Sequence, residues 1–361
     1  PQRTLPARFQ FLSWGDDEIS NSTTEVTDPL KNPLVEVWNK PATGATFTTQ
    51  EVLREITATT TQGTSTIEIK RTIRASSTVL IFVDKITGYI YGYPLETGIA
   101  FQISNTIIPG IHDAYFFENG RKVIMRYVDR ERSTVTALVA TVPSIKEGME
   151  AVPLIDTTYL TSLVSSVAVN KRGDRASYVV MTNEGSSMYT LTPNGTILVG
   201  SSPFREWDIS YGGESLFVTS KPSAYVPGIT ARLPSFSLEI NEKTGLMSTP
   251  NSSGEILSSM WSNTGLVTFT TNTGRDSVLP IKTLAPKCSW GGDNLLMCAV
   301  PRTLPKSTEG LPDDWFQGRV TFNDDIYVVD KNTGETFPVY VFKDPEGLFD
   351  VTNINLLATN D

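Results

Sequence analysis

The chain has 361 residues, 39% of them hydrophobic, with 22 Pro, 26 Gly, two Cys, one His and a formal net charge of −9. That acidic balance and the lack of a basic tract argue against a general nucleic-acid binder, which needs a concentrated Lys/Arg surface to release counterions. No apolar run approaches the roughly 20 residues of a membrane-spanning helix, and one His with two distant Cys does not make a zinc shell.

Residues 1–33 read as an irregular linker with Pro1, Pro6, Pro29 and Pro33, and its apolar run Phe9 to Trp14 is a candidate blade-closing strand. There is no signal peptide, and because the chain starts at Pro1 the reading leaves room for a leader or membrane anchor ahead of it. Leu34 to Trp38 reads as the first strand. Thr46 to Thr78 alternates like strand, as in Thr66-Ile67-Glu68-Ile69-Lys70, with no clear place in a repeat. Val79–Val83, Tyr89–Tyr93 and Ala100–Ser104 then form the first regular unit. Ala114–Phe117, Lys122–Val128 and Thr134–Thr141 form the second, opened by the hairpin signal Asn119-Gly120. The third runs Leu163–Val169, Ala176–Thr182, Ser187–Thr192 and Thr196–Val199. The fourth runs Arg205–Ser210, Ser215–Thr219, Ser235–Ile240 and Leu246–Thr249. A fifth starts near Glu255, a sixth near Ala285, and Phe349 to Ala358 reads as the first strand of a seventh.

Short strands with turn signals at regular spacing point to an all-β fold, and a recurring four-strand unit selects a β-propeller of antiparallel blades over residues 34–361. Seven blades is the main expectation, with six as the alternative. Cys288 and Cys298 sit at equal distance from Asp293 on the two arms of one hairpin, which makes them cross-strand neighbours. A disulfide there, rather than two reduced buried thiols, implies an oxidising compartment.

Two motifs recur. Trp followed by Gly occurs at Trp207, Trp261 and Trp290, and Asp/Asn-x-x-Thr-Gly ends at Gly88, Gly245 and Gly334. The Gly suits turn positions that other residues enter at a cost, and Asp or Asn can bond the turn backbone; calcium ligation is the competing reading of the acids. At these residues the chain resembles the TolB-like and WD-repeat-like propellers, whose Trp-Ser-Pro-Asp-Gly hairpin is matched by Trp261 to Gly265 with Asn-Thr in place of Pro-Asp. The stretch from Cys288 through Asp325 also resembles uncharacterised membrane-anchored propellers of uncultured, small-genome bacteria. The resemblance implies fold and a cell-envelope location and transfers no catalytic residue; the apolar area an indole buries favours the tryptophans packing between blades over contacting a ligand.

His112 is the only histidine, and no Gly-x-Ser-x-Gly elbow accompanies it, so a Ser-His-Asp triad has no support and His112 reads as structural or solvated. No phosphate loop or dinucleotide fingerprint occurs, and no cofactor is expected. The acid pairs Asp313-Asp314 and Asp324-Asp325 leave carboxylate-based glycan processing open. The sharper candidates are two long connections on one face, Ser220–Pro234 and Pro301–Gly318. Their residues Tyr225, Arg232, Arg302, Asp313, Asp314, Trp315 and Phe316 are of types that interface cores favour. The expected function is a non-catalytic envelope propeller that binds an envelope or surface protein or a glycan. A surface-array component and a glycan-processing enzyme are the alternatives, and the loops folding down as caps is the competing reading of the site.

Overall fold

The computed structural model describes residues 35–352 with 354 and 356, apart from 63–64, 130–133, 145–148, 161–162, 193–194, 263–264, 306–309 and 343–348. The 1–33 linker and its candidate closing strand lie outside the described residues. Blade 1 consists of β1 (Ala42–Gln62), β2 (Ser65–Asp84), β3 (Ile90–Pro94) and β4 (Phe101–Gln102). Blade 2 holds β5 (Ile111–Phe117), β6 (Lys122–Asp129), β7 (Thr134–Thr141) and β8 (Ile155–Tyr159), and blade 3 holds β9 (Val164–Val169), β10 (Ala176–Thr182), β11 (Gly185–Thr192) and β12 (Gly195–Ser202). Blade 4 has β13 (Trp207–Gly212), β14 (Ser215–Ser220), β15 (Pro227–Arg232) and β16 (Ser237–Thr244). Blade 5 has β17 (Met247–Pro250), β18 (Ile256–Ser262), β19 (Gly265–Asn272) and β20 (Arg275–Val278); blade 6 has β21 (Cys288–Trp290), β22 (Leu295–Pro301), β23 (Asp324–Asp330) and β24 (Thr336–Tyr340).

Each sheet is a four-stranded meander in chain order, so the fold is an all-β propeller with six blades among the described residues. The expected seventh is corrected here. Phe349 does not open a new sheet: its carbonyl accepts the Asp324 N–H at 2.9 Å, and the Val351 N–H donates to Asp324 Oδ2 at 2.8 Å. Residues 349–351 are thereby held on blade 6, while 353, 355, 357 and 358 of the expected strand lie outside the described residues. The first strand is likewise not Leu34–Trp38; residues 35–38 are irregular, and Trp38 packs its ring on Phe82 and Tyr91, 5.2 and 4.4 Å away. Blade 1 draws its first two strands from the stretch that had no clear place in the repeat.

Among the described residues, buried apolar cores join blade 1 to blade 2 and so on in turn to blade 6. Val79, Ile81, Val123 and Met125 lie between blades 1 and 2, Ile124 and Tyr178 between 2 and 3, and Val179 and Val218 between 3 and 4. Phe217 and Phe269 lie between blades 4 and 5, and Leu257, Leu296 and Cys298 between 5 and 6. Alternation explains it: in β3 the residues read buried, half-buried, buried, and the buried face, with Ile90, joins the core shared with blade 2. Trp207 and Trp261 belong to such cores, and Trp290 donates its indole N–H across to Thr249 O of blade 5 at 3.0 Å.

The two motifs are turn chemistry rather than blade markers, because their copies fall at different strand junctions. Asp84 Oδ1 accepts the Ile86 and Thr87 N–H groups, both at 2.9 Å, in the turn between the second and third strands of blade 1. Asp330 Oδ1 accepts those of Asn332 and Thr333 at 2.8 and 3.1 Å between the third and fourth strands of blade 6. Gly88 and Gly334 close these two turns at φ +79° and +72°, where a side chain would be strained. Cys288 and Cys298 are directly opposed in the β21–β22 ladder and form a disulfide, with both residues buried.

Candidate functional site

In a meander blade, the turns between first and second strands emerge at one end, and those between second and third strands at the other, together with the crossovers between blades. The expected long connection in blade 4 is shorter than read, because Pro227–Arg232 forms β15, whose Thr230 pairs with Thr219. Only residues 221–226 remain as loop. Tyr225 and Arg232 therefore part company. Tyr225 lies in the loop and is 80% exposed, whereas Arg232 sits at the opposite end of β15, paired with Glu239 at 2.9 Å and stacked over Phe217.

The blade 6 connection is long, spanning 302–323 between β22 and β23, and carries a one-turn helix, α1 (Asp313–Phe316). It reaches across blade 5 to the blade 4 loop, where the Ala224 N–H donates to Asp313 Oδ2 at 2.6 Å. Between them lies the crossover from blade 4 to blade 5, whose Gly245 N–H donates to Ser223 O at 2.9 Å. Gly245 has φ +62°, and a Cβ there would stand 2.7 Å from Trp261 Cδ1 and 3.0 Å from Pro312 Cδ. The three segments thus form one platform over the end of blade 5. Tyr225, Val226 and Phe316 stand exposed in these segments.

Trp315 is turned the other way. Its ring joins the core between blades 5 and 6, and its indole N–H donates to Asp350 Oδ2 at 3.0 Å. Beneath it Lys287 is fully buried, bonded through Nζ to Asp324 Oδ2 at 2.6 Å and to Asp350 Oδ1, with the Phe322 ring centroid 4.7 Å away. Burial raises the Asp324 carboxyl, and the lysine offsets only part of that. Arg302 bonds Asp325 Oδ1 at 2.9 Å through Nε and 2.7 Å through an amino nitrogen, and Asp314 pairs with Arg319 at 3.2 Å. Each carboxylate of the two expected acid pairs is therefore engaged by a cation or a backbone N–H.

A second polar cluster lies beside the central channel, a cavity of about 550 Å³ lined by the first strands of blades 1 to 4. Asp113 on β5 accepts Arg126 Nε at 2.7 Å on Oδ1 and bonds a second guanidinium nitrogen through Oδ2, with His112 Nδ1 3.0 Å away. Arg126 also donates to the carbonyls of Val164 and Ser165, tying blade 2 to the first strand of blade 3. Burial pushes the Asp113 carboxyl up, but the hydrogen bonds from Arg126 and His112 outweigh it and bring it down to about 2. Burial also pushes the neighbouring Tyr115 hydroxyl well above its ordinary value. Sequence reasoning missed this pair; its trace was a charged Arg126 in the otherwise apolar centre of Lys122–Val128. Among the described residues no helix is long and apolar enough to cross a membrane.

No family model and no curated protein matches the chain. Similar solved structures include TolB from Acinetobacter baumannii, at 10% identity and TM-score 0.42 over 72% of this chain and 58% of that one. The Pyrococcus horikoshii acylaminoacyl peptidase matches at 10% identity and TM-score 0.47, over 84% of this chain and 53% of that one. The chain thus spans little more than half the length of those two proteins. The β-propeller domain of the Trilobed protease from Pyrococcus furiosus matches at 11% identity and TM-score 0.46, over 84% of this chain and all of that one. At these scores the likenesses carry no weight beyond the strand pairing, which by itself defines the propeller of four-stranded antiparallel blades.

Proposed function

We propose that this chain is a non-catalytic interaction propeller that binds an envelope or surface protein, or a glycan, through the platform over blade 5. The observation that carries the reading is the Ala224–Asp313 hydrogen bond, which joins loops 89 positions apart in sequence into one surface. Exposed aromatics on a backbone held by hydrogen bonds suit recognition, since little ordering entropy is lost on binding. The engaged acid pairs favour this reading over glycan processing, and the Cys288–Cys298 bridge supports an oxidising, extracytoplasmic home. The test is the double variant Tyr225→Ala with Phe316→Ala, examined by proximity crosslinking in native cells. Lost partner links at an unchanged melting temperature support the platform. Unchanged links refute it.

A further inference from the structure

Blade 6 buries a lysine against two aspartates. Lys287 directly precedes β21 and Asp324 opens β23, and both side chains are fully buried. Asp350 comes from the segment held on the blade, with its side chain 19% exposed. Lys287 Nζ bonds Asp324 Oδ2 at 2.6 Å and also Asp350 Oδ1, and the Phe322 and Trp315 ring centroids stand 4.7 and 5.6 Å from it. One cation facing two ionised carboxylates would leave a negative charge uncompensated, which is costly in so buried a place.

The two acids are not equivalent. Asp350 Oδ2 accepts the Trp315 indole N–H at 3.0 Å and the Phe322 N–H at 3.1 Å, so both its oxygens have donors, as an ionised carboxylate requires. Asp324 has its donors on one oxygen. Its Oδ2 accepts from Lys287 and from the Val351 N–H at 2.8 Å, whereas Oδ1 is buried with no hydrogen-bond partner among the described residues. An unpaired oxygen costs less in a neutral carboxyl than in a carboxylate, and burial raises the Asp324 carboxyl in the same direction. The site therefore holds an amine, an acid, a base and an N–H donor within bonding distance of one another. With Oδ2 2.6 Å from Nζ, one further C–O bond puts Asp324 Cγ within ~4 Å of the nitrogen, near the ~3–3.5 Å of a reacting pair.

We propose that Lys287 and Asp324 condense to an isopeptide bond inside the folded chain, with Asp350 as the base. Lys287 passes one Nζ proton to Asp350, and the neutral amine attacks Asp324 Cγ. Negative charge then gathers on Oδ2, where the Val351 N–H is already in place. Asp350 gives its proton to Oδ1 and takes a second one from the nitrogen. The Nζ–Cγ bond has formed, the Cγ–Oδ1 bond has broken, and Oδ1 leaves as water with its own proton and the relayed one. Asp350 ends protonated and returns that proton to solvent. No oxidant or cofactor is consumed. Condensation is unfavourable in bulk water, but groups held in place by a fold reach effective molarities on the order of 10⁵ M or more. Burial of Lys287 and Asp324 also keeps water from reversing the step.

The experiment is the intact mass of the full chain, kept folded, then unfolded and reduced so that the Cys288–Cys298 bridge does not enter the difference. The wild type is expected one water lighter than its sequence, with a protease digest yielding two peptides joined through Lys287 and Asp324. Lys287→Arg keeps the charge and should show its full mass. Asp350→Asn keeps both reacting groups and should lose water at least ~100-fold more slowly, the weight of a general base. A wild type at the full mass of its sequence overturns the proposal, and that result depends on no variant folding. A water loss that persists in Lys287→Arg, maps to other residues, or runs as fast in Asp350→Asn overturns it as well.

Discussion

The Asp113–Arg126 pair makes the stability of the ring depend on pH in a calculable way. Its folded carboxyl titrates at about 2 against an ordinary value of 3.8. The folded value is depressed, so the pair's contribution is fully present above pH 3.8 and is lost as pH falls through 2. The difference corresponds to roughly 2 kcal/mol at neutral pH, for a carboxylate whose side chain is 18% exposed. Other carboxylates titrate in the same range, and buried Asp324 works in the opposite sense: its raised folded value costs stability as pH rises above 3.8. Comparing wild type with Asp113→Asn cancels those common contributions. Urea unfolding followed by tryptophan fluorescence at several pH values from 6 to 2 should show the two proteins converging by roughly 2 kcal/mol. At neutral pH the variant should lie about 3–5 kcal/mol below wild type, because Arg126 keeps its burial without its anion. A gap that stays constant from pH 6 to 2 would refute the argument that the guanidinium bonds hold the carboxyl down.

Lys287→Met should cost about 3–5 kcal/mol by leaving Asp324 buried without its cation, and Lys287→Met with Asp324→Leu should recover most of that in thermal melts. Reducing Cys288–Cys298, or replacing both by Ala, should lower stability by about 3 kcal/mol, the chain-entropy value for a bridge spanning 10 positions, read as a fall in urea midpoint with little change in slope. Gly245→Ala should destabilise by at least 1 kcal/mol, since a Cβ would press on Trp261 at a positive φ, and should weaken partner binding by shifting the crossover beneath the platform.

The propeller was legible because its signals are local. Asn119-Gly120 and the alternating runs around it mark hairpins whatever surrounds them, and equal spacing from Asp293 located the disulfide. The blade count was not legible, for two reasons visible in particular segments. The ladder of β1 with β2 runs well past the blade, so its first two strands hid inside a stretch too long to resemble the other units. At the other end, Phe349 to Val351 has the composition of a strand but spends its backbone groups on Asp324, a tertiary choice that no local pattern records. The site shows the same division. Tyr225 and Phe316 were readable as exposed aromatics in connections, whereas Trp315, Arg302 and Asp324 are of the same residue types and became struts, because partners distant in sequence captured them.

Strand polarity then separates the surfaces. The second-to-third-strand turns of blades 4 and 6 and the crossover at Gly245 emerge together, which is why a loop from blade 6 can meet one from blade 4. The first-to-second-strand turn of blade 2 lies at the other end, where Asn119 O accepts the Thr48 Oγ1 hydroxyl of blade 1 at 2.7 Å. A groove beside Glu214, between blades 3 and 4, opens there too. The platform and that turn thus lie at opposite ends of the blades, joined through the packed cores between them. A substitution at that far end therefore reaches the platform only through the stability of the blades between them.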